Sequence, residues 1–415
     1  MRISCKALLS GVISLASLGS VFADAVTSER ISQLPVTEQN SWSAYCQRSH
    51  SNALADAAVL QAEVTALKLT NALPAPSGGD FKLPAKADKT WFGQEEARRL
   101  ADVILSFQSP SGGWSKHTGF AKGPRRPGMQ FSSQYEPGRP PHYLATFDNH
   151  STTDEMQFLA SVWNATKRED CKAGFIKGLD FIFAAQFPNG GWPQVYPLEG
   201  GYHDDVTFND DAMTHVLELL QAITRNEPDF AFLDASQRQK AAAALDRGIQ
   251  CVLQSQIRQG TNRTVWCAQF DPLTLRPSAA RKMEPASLSG AESAHILLFL
   301  MSITNPSPDM VTSIESGLHW FEDAKIKGET KTGPNGKQYF EPNPAGGEVR
   351  WARFYNLTNN QPEFPGRDGV IYNSFAEMAA VNRLGYDYFS SLPGSIIGNG
   401  QKKWRKMLAQ RSQKE

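Results

Sequence analysis

The chain has 415 residues, 40% hydrophobic and 20% charged, a globular composition with enough apolar residues for one large or two ordinary domains, which excludes a predominantly disordered protein. Lysine plus arginine and aspartate plus glutamate both number 42. No global field therefore draws the chain to nucleic acid or to a membrane surface, and a polyanion has to be recognised by a local cluster of charge.

The N-terminus reads "MRISCKALLSGVISLASLGSVFADAV". Arg2 and Lys6 precede an apolar or small stretch over 7–19, and Val21-Phe22-Ala23 supplies a small-x-small cleavage signal. This pattern predicts a signal peptide over 1–23, cleaved after Ala23, and a secreted or periplasmic protein. The apolar stretch is short for a membrane span, so no membrane association is expected after cleavage. Cleavage removes Cys5 and leaves Cys46, Cys171, Cys251 and Cys267. Those four can make two disulfides in three connectivities, or remain buried thiols. No Cys/His spacing suggests zinc.

"SNALADAAVLQAEVTALKLTNAL" has the composition of a helix and is followed by the breaker-rich "PAPSGGDFKLPAKAD". Residues 24–85 are therefore expected to form an N-terminal helical extension and linker. From there to residue 400 a repeat takes over, and 401–415 is expected to be a basic C-terminal tail. "EEARRLADVILSFQSPSGGWSKH" and "KAGFIKGLDFIFAAQFPNGGWPQVYP" share an amphipathic helix, a glutamine, a turn and Gly-Gly-Trp. Trp114 and Trp192 are 78 residues apart, and "ALDRGIQCVLQSQIRQGTNRTVWCAQF" brings Trp266 a further 74 on. Other helical stretches, such as "TTDEMQFLASVWNATK" and "NDDAMTHVLELLQAITR", lie between, and strand alternation is scarce. A fourth helix pair is expected at "VTSIESGLHWFEDAKIKG". Helix pairs at a fixed period cannot bury their apolar faces singly. The predicted fold is all-α, an (α/α) toroid or incomplete α/α barrel, with long loops forming a groove at one end.

Several of those loops carry chemistry. In "TFDNHSTTDE", Asp148, Asn149 and the following hydroxyls are hard oxygen donors suited to calcium, although helix capping accounts for the same residue types. "YHDDVTFNDDAM" offers Asp204, Asp205, Asp210 and Asp211, where Asn209 or Asp210 could also be a cap. Trp114 and Trp192 could stack on a sugar, but core packing is the commoner use of a repeated tryptophan. Arg276, Arg281 and Lys282 gather in "PLTLRPSAARKMEPASLSGAES", on an irregular loop leading into a helix. Arg350, Arg353 and Arg367 in "RWARFYNLTNNQPEFPGRDG" are either a solvated face or bidentate carboxylate binders. His117, His142, His150 and His203 show no ligand spacing, and none is assigned to a metal.

Taken in order, "TFDNHSTTDEMQFLA", "NGGWPQVYP", "FNDDAM", "WCAQFDPLTLRPSAARKMEPASLSGAES" and "RWARFYNLTNNQPEFPGRDG" resemble the polysaccharide lyase family 10 pectate lyases over roughly residues 90–390. The resemblance implies cleavage of polygalacturonate by calcium-assisted anti β-elimination, giving 4,5-unsaturated products. It implies Ca2+ at Asp148 and Asn149, Arg281 as Brønsted base, and Asp210 or Asp211 at the acidic site. It also implies Arg353 and Arg367 as grips on substrate carboxylates, with Lys116 and Arg350 as further substrate contacts, in a protein expected to be a monomer. His150 and Ser151 depart from the small residues usual after Asp-Asn, and Asp154 and Glu155 add acids there. "GGWSKH" departs from the usual Pro-Lys-Asn form, leaving the role of Lys116 open. Chemistry alone offers Lys282 as a rival base, because lysine loses its proton more readily than arginine. The Gln-x-x-x-Gly-Gly-Trp turns also resemble terpenoid cyclase and prenyltransferase-like barrels, and a non-catalytic pectin-binding protein of the same fold is a further alternative.

Overall fold

The computed structural model describes residues 26–84, 86–134, 142–332, 338–381 and 387–412. The expected signal peptide lies outside the described residues. Helix α1 (Ser28–Ser32) is short, and α2 (Val36–Ala66) is a single long helix that begins well before the Ala/Leu-rich run. Its Trp42 and Tyr45 stack on Phe187, with ring centroids 5.4 and 4.9 Å away, and the Tyr45 hydroxyl donates to the Ala185 carbonyl. The extension thus shares the core of the main domain instead of standing apart from it.

The repeat builds two layers. Helices α3 (Glu95–Ser106), α4 (Thr153–Thr166), α5 (Glu169–Ala185), α6 (Ala212–Thr224), α7 (Ala235–Ser255), α8 (Ala291–Ser302) and α9 (Pro308–Asp323) alternate between them. In one layer α4, α6 and α8 lie side by side; in the other α3, α5, α7 and α9 do. Local signals start the outer helices: an Asp234/Gln237 capping box opens α7, and Ser307 caps α9 with Pro308 at its first position. Helix α8, "AESAHILLFLMS", is apolar nearly all round because it is covered on most sides.

The glutamine of each repeat ties its own turn to the next helix of the outer layer, and the tryptophan bonds back to the outer helix before it. Gln108 Nε2 donates to the carbonyls of Gly112 and Gly174, Gln186 to those of Gly190 and Ala244, and Gln256 to those of Thr264 and Ser313. Trp114, Trp192 and Trp266 are fully buried, their indole N–H groups donating to Ile104, Ile182 and Val252 carbonyls. They are core residues and not sugar platforms. The first glycine of each Gly-Gly-Trp is required twice over: Gly112 and Gly190 have φ of 117° and 93°, and a Cβ there would meet a carbonyl oxygen at 2.5 and 2.2 Å.

Sheet content is modest but real beyond α9, where strands were not expected. The sequence "IKGETKT" leaves the helical pattern after Asp323 and forms a strand, Ile326–Thr332, rather than the end of a fourth helix pair. It joins a four-stranded antiparallel sheet with Gln338–Pro342, Glu348–Ala352 and Phe389–Ser390. A second sheet joins Leu288–Ser289, Phe354–Tyr355, Pro362–Pro365 and Ile371–Tyr372. Helix α10 (Phe375–Val381) follows, then α11 (Leu392–Ser412), which packs on α8 and buries Trp404. The boundary expected at residue 400 therefore falls inside a docked helix. Cys46, Cys171, Cys251 and Cys267 are all free thiols. Among the described residues no helix is long and apolar enough to cross a membrane.

Candidate active site

Two copies of one loop face each other at one end of the inner layer. "TFDN" (146–149) enters α4 and "TFND" (207–210) enters α6. In the first, Phe147 N–H donates to the Gln194 carbonyl and Thr146 Oγ1 accepts from Asp148 N–H. In the second, the N–H groups of Phe208 and Asn209 both donate to the Ala268 carbonyl. So held, the chain turns through left-handed residues, Asn149 and His150 at φ 52° and 65°, and Asp210 and Asp211 at 49° and 60°. Such backbone persists where its surroundings fix it, and it clusters at functional sites. Neither α4 nor α6 has a side-chain cap, so capping does not account for these acids.

The loops gather negative charge. Asp210 is pushed up to about 6 by burial first, then by the charges of Asp148 and Glu292, while Arg353 opposes the shift. Glu292 sits at the start of α8, held by the Ser289 hydroxyl. Three successive inner helices thus contribute Asp148, Asp210 and Glu292 to one cluster. Asp148 is 3% exposed. Its Oδ2 accepts from Lys116 Nζ at 2.6 Å, whereas Oδ1 is buried without a hydrogen-bond partner among the described residues. A buried, unpartnered carboxylate oxygen among further carboxylates fits a hard divalent cation.

The arginine loop borders this cluster. Pairing of Ser289 with Phe354 sets α8 beside Arg353, whose guanidinium lies 3.6 Å from Glu292. Arg281 makes a two-point contact with Glu284, at 2.8 Å through Nε and 2.6 Å through Nη2, and its side chain is 53% exposed. The Tyr202 hydroxyl is within electrostatic reach of both Arg281 and Asp148, and burial raises its pKa. Lys282 packs alongside Gly369, in the turn that carries Arg367. Arg367 is exposed, and it and Arg353 both act on the Tyr388 hydroxyl. Arg353, Arg367, Arg281 and Lys282 therefore line connected loops.

Other expected site residues go elsewhere. Arg350 lies on the strand Glu348–Ala352, donates to Thr330 and Glu348 and covers the Phe340 ring; it serves the sheet. Asp211 pairs with His295 at 2.7 Å, behind the cluster. Asp204 accepts from the N–H groups of Glu199 and Gly200, and Asp205 accepts from the Ser278 hydroxyl. Asp154 accepts from Leu83 N–H, tying the extension to α4, and Glu155 is buried and pushed up to about 8 by desolvation. Asp154 also faces His150 of the Asp148 loop at 3.8 Å, whereas Glu155 belongs to the packing of α4. Asn149 stays beside Asp148, and the His150 ring stacks on His215 with centroids 3.7 Å apart.

The sequence reading missed Glu292, Tyr143 and Glu199. Glu292 was legible as the acid at the third helix start of the repeat. Tyr143 lies under Lys116, whose Nζ is 3.7 Å from the ring centroid, and its hydroxyl is 2.9 Å from His203 Nε2. His142 and His203, 61 positions apart in sequence, converge on Glu199. Burial pushes His203 down to about 4.

No curated protein matches the chain. Solved structures do, among them a family 10 polysaccharide lyase from Cellvibrio cellulosa, 30% identical, and an aspartate-to-alanine mutant of the family 10 lyase from the same organism in complex with trigalacturonic acid, 29% identical. Each superposes with a TM-score of 0.64, over 79% and 78% of this chain respectively and 99% of the other. The sequence pattern of the pectic acid lyases matches residues 108–397, which contain the acidic loops and the arginine loops alike. The chain belongs to the pectic acid lyase family.

Proposed function

We propose that this polysaccharide lyase cleaves α-1,4-polygalacturonate by anti β-elimination with Ca2+ as cofactor, as an exported monomer. The observation that carries the reading is the meeting of a buried acidic cluster, Asp148, Asp210 and Glu292, with a rim of arginines at one end of the inner helices. The neighbour's trigalacturonic acid is the corresponding substrate chemistry. Removing the proton at C5 of a uronate puts a second negative charge onto its carboxylate. Groups that oppose that charge as it develops lower the barrier more than they tighten ground-state binding.

In this reading Asp148, Asn149 and Asp210 hold the calcium, which when bound neutralises a substrate carboxylate and acidifies the adjacent carbon. Arg353 and Arg367 grip carboxylates through two-point hydrogen bonds. Lys116 neutralises Asp148 from the side opposite its unpartnered oxygen, and Tyr143 supports the lysine. Arg281 takes the C5 proton. Its pairing with Glu284 orients the guanidinium and stabilises the cation that proton abstraction leaves, and the same carboxylate opposes the neutral form that the base needs. Lys282, beside it, remains the chemical rival.

The test is direct. Purified protein added to polygalacturonate is expected to generate the ultraviolet absorbance of an unsaturated uronate, to lose that activity on chelation, and to regain it with Ca2+. Binding of the polymer with no such product would identify the non-catalytic alternative, and full turnover after chelation would remove calcium from the reaction.

A further inference from the structure

We propose that His142, Glu199 and His203 form a second cation site, chemically distinct from the oxygen donors at Asp148, that takes a divalent transition ion such as Zn2+. One ligand atom from each residue, two imidazole nitrogens and a carboxylate oxygen, lies within 4.8 Å of the others. The Nδ1 atoms of His142 and His203 approach Glu199 Oε1 to 2.7 and 3.5 Å. Yet that oxygen is buried and accepts no hydrogen bond of normal geometry among the described residues. Two nitrogens directed at one carboxylate oxygen, within ion-pair distance of it but outside hydrogen-bond geometry, are arranged as ligands around a common centre. Two histidines and a carboxylate suit zinc and its neighbours, whereas calcium prefers an all-oxygen set.

The supporting groups are already in position. The Tyr143 hydroxyl sits 2.9 Å from His203 Nε2, so with the ring proton on that nitrogen, donated to the tyrosine, Nδ1 is left with its lone pair toward Glu199. Glu199 Oε2 accepts from Tyr143 N–H, and Asp204 holds the Glu199–Gly200 backbone. His142 is 46% exposed, which gives the ion a path from solvent and leaves the fourth ligand to water. An ion here would fasten 199–203 to 142–143, and so fix the tyrosine on which Lys116 rests. The inference stands whether or not Asp148 binds calcium.

The protein after signal cleavage, stripped with a chelator and returned to neutral buffer, is titrated with Co2+. One equivalent is expected to give the visible absorption of a nitrogen-and-oxygen site. Zn2+ is expected to abolish the signal, and a large excess of Ca2+ to leave it. His142→Ala and Glu199→Gln are each expected to weaken Co2+ by about 10- to 100-fold or more, the scale on which metal sites respond to loss of even a supporting partner. His142 lies on the surface rim, so its variant keeps the fold. Zn2+ is also expected to raise the thermal midpoint of the unmodified protein and not that of His142→Ala. No Co2+ signal, displacement by Ca2+, or binding undiminished in His142→Ala would each overturn the assignment, the last by moving the ion to other histidines.

Discussion

At the scale of single residues, the arginine and lysine at 281 and 282 present the sharpest choice. Arg281 is oriented by Glu284 through two hydrogen bonds, while Lys282 leans on the Gly369 turn. With Arg281 as base, Arg281→Ala abolishes turnover of polygalacturonate while the protein stays folded, with some loss of thermal stability because buried Glu284 loses its two-point contact with the guanidinium. Arg281→Lys is also badly impaired, since an ammonium cannot reproduce the two-point contact with Glu284. Lys282→Ala then retains most activity. The reverse pattern in steady-state rates would transfer the role to Lys282. Arg353→Ala and Arg367→Ala are each expected to lower kcat/KM by about 1.5–3 kcal/mol of charged hydrogen bonding. Arg350→Ala, whose guanidinium serves Thr330 and Phe340, is expected to change stability and leave kcat/KM alone. Unchanged kinetics in both Arg353 and Arg367 variants would return them to a solvated face.

At the scale of elements, the repeat carries both the scaffold and the site. Gln186 joins its own turn to α7 through two buried carbonyls, and also accepts from Arg247. Gln186→Ala leaves both carbonyls without that donor in a site too packed for ready access by water. At about 1–3 kcal/mol for each unsatisfied buried group, chemical denaturation should register a loss of roughly 2–6 kcal/mol. A loss below about 1 kcal/mol would mean that the glutamine is incidental to the contact between α5 and α7. This device was legible in the sequence because glutamine and tryptophan recur at the end of a helix in each repeat, 78 and then 74 residues apart at the tryptophans. Asp148 and Asp210 were legible as the acids of twin loops. Glu292, in the first turn of α8, was legible by the same repeat logic but was passed over, because no twin of the Asp148 and Asp210 loops precedes it in sequence. Arg350 lies apart from Arg353 because the helical pattern stops at Asp323 and the strand Glu348–Ala352 turns alternate residues to opposite faces. His142 and His203 carried no signal at all, since their meeting depends on how two distant loops pack.

At the scale of the whole molecule, buried titratable groups link the fold to pH. Glu155 lies where α4 meets the N-terminal extension, next to Asp154, which accepts from Leu83 N–H. Its Oε2 is buried without a partner among the described residues, and desolvation pushes its pKa from 4.5 to about 8. The folded protein therefore holds a proton that the unfolded chain has released. Stability from this group is complete below the unfolded value, declines as pH rises toward the folded one, and is flat above it. Asp205 and Asp56, pushed up to about 7 and about 6 by burial, act in the same direction but are exhausted earlier. His203 and His215, pushed down to about 4 and about 3, act oppositely, and their contribution is complete once pH exceeds the ordinary histidine value. His295, raised by its hydrogen bond to Asp211, also loses stabilising effect as pH rises. Between pH 7 and 8 the protein is thus expected to lose stability, with Glu155 contributing up to about 1.4 kcal/mol per pH unit. Glu155→Gln fills the same space and cannot titrate, so it isolates that contribution from that of His295. Thermal midpoints measured at pH 7 and pH 8 should fall less steeply in Glu155→Gln than in the unmodified protein. Equal slopes would mean that Glu155 is already ionised in the fold, and that a partner at the α4 junction compensates its charge.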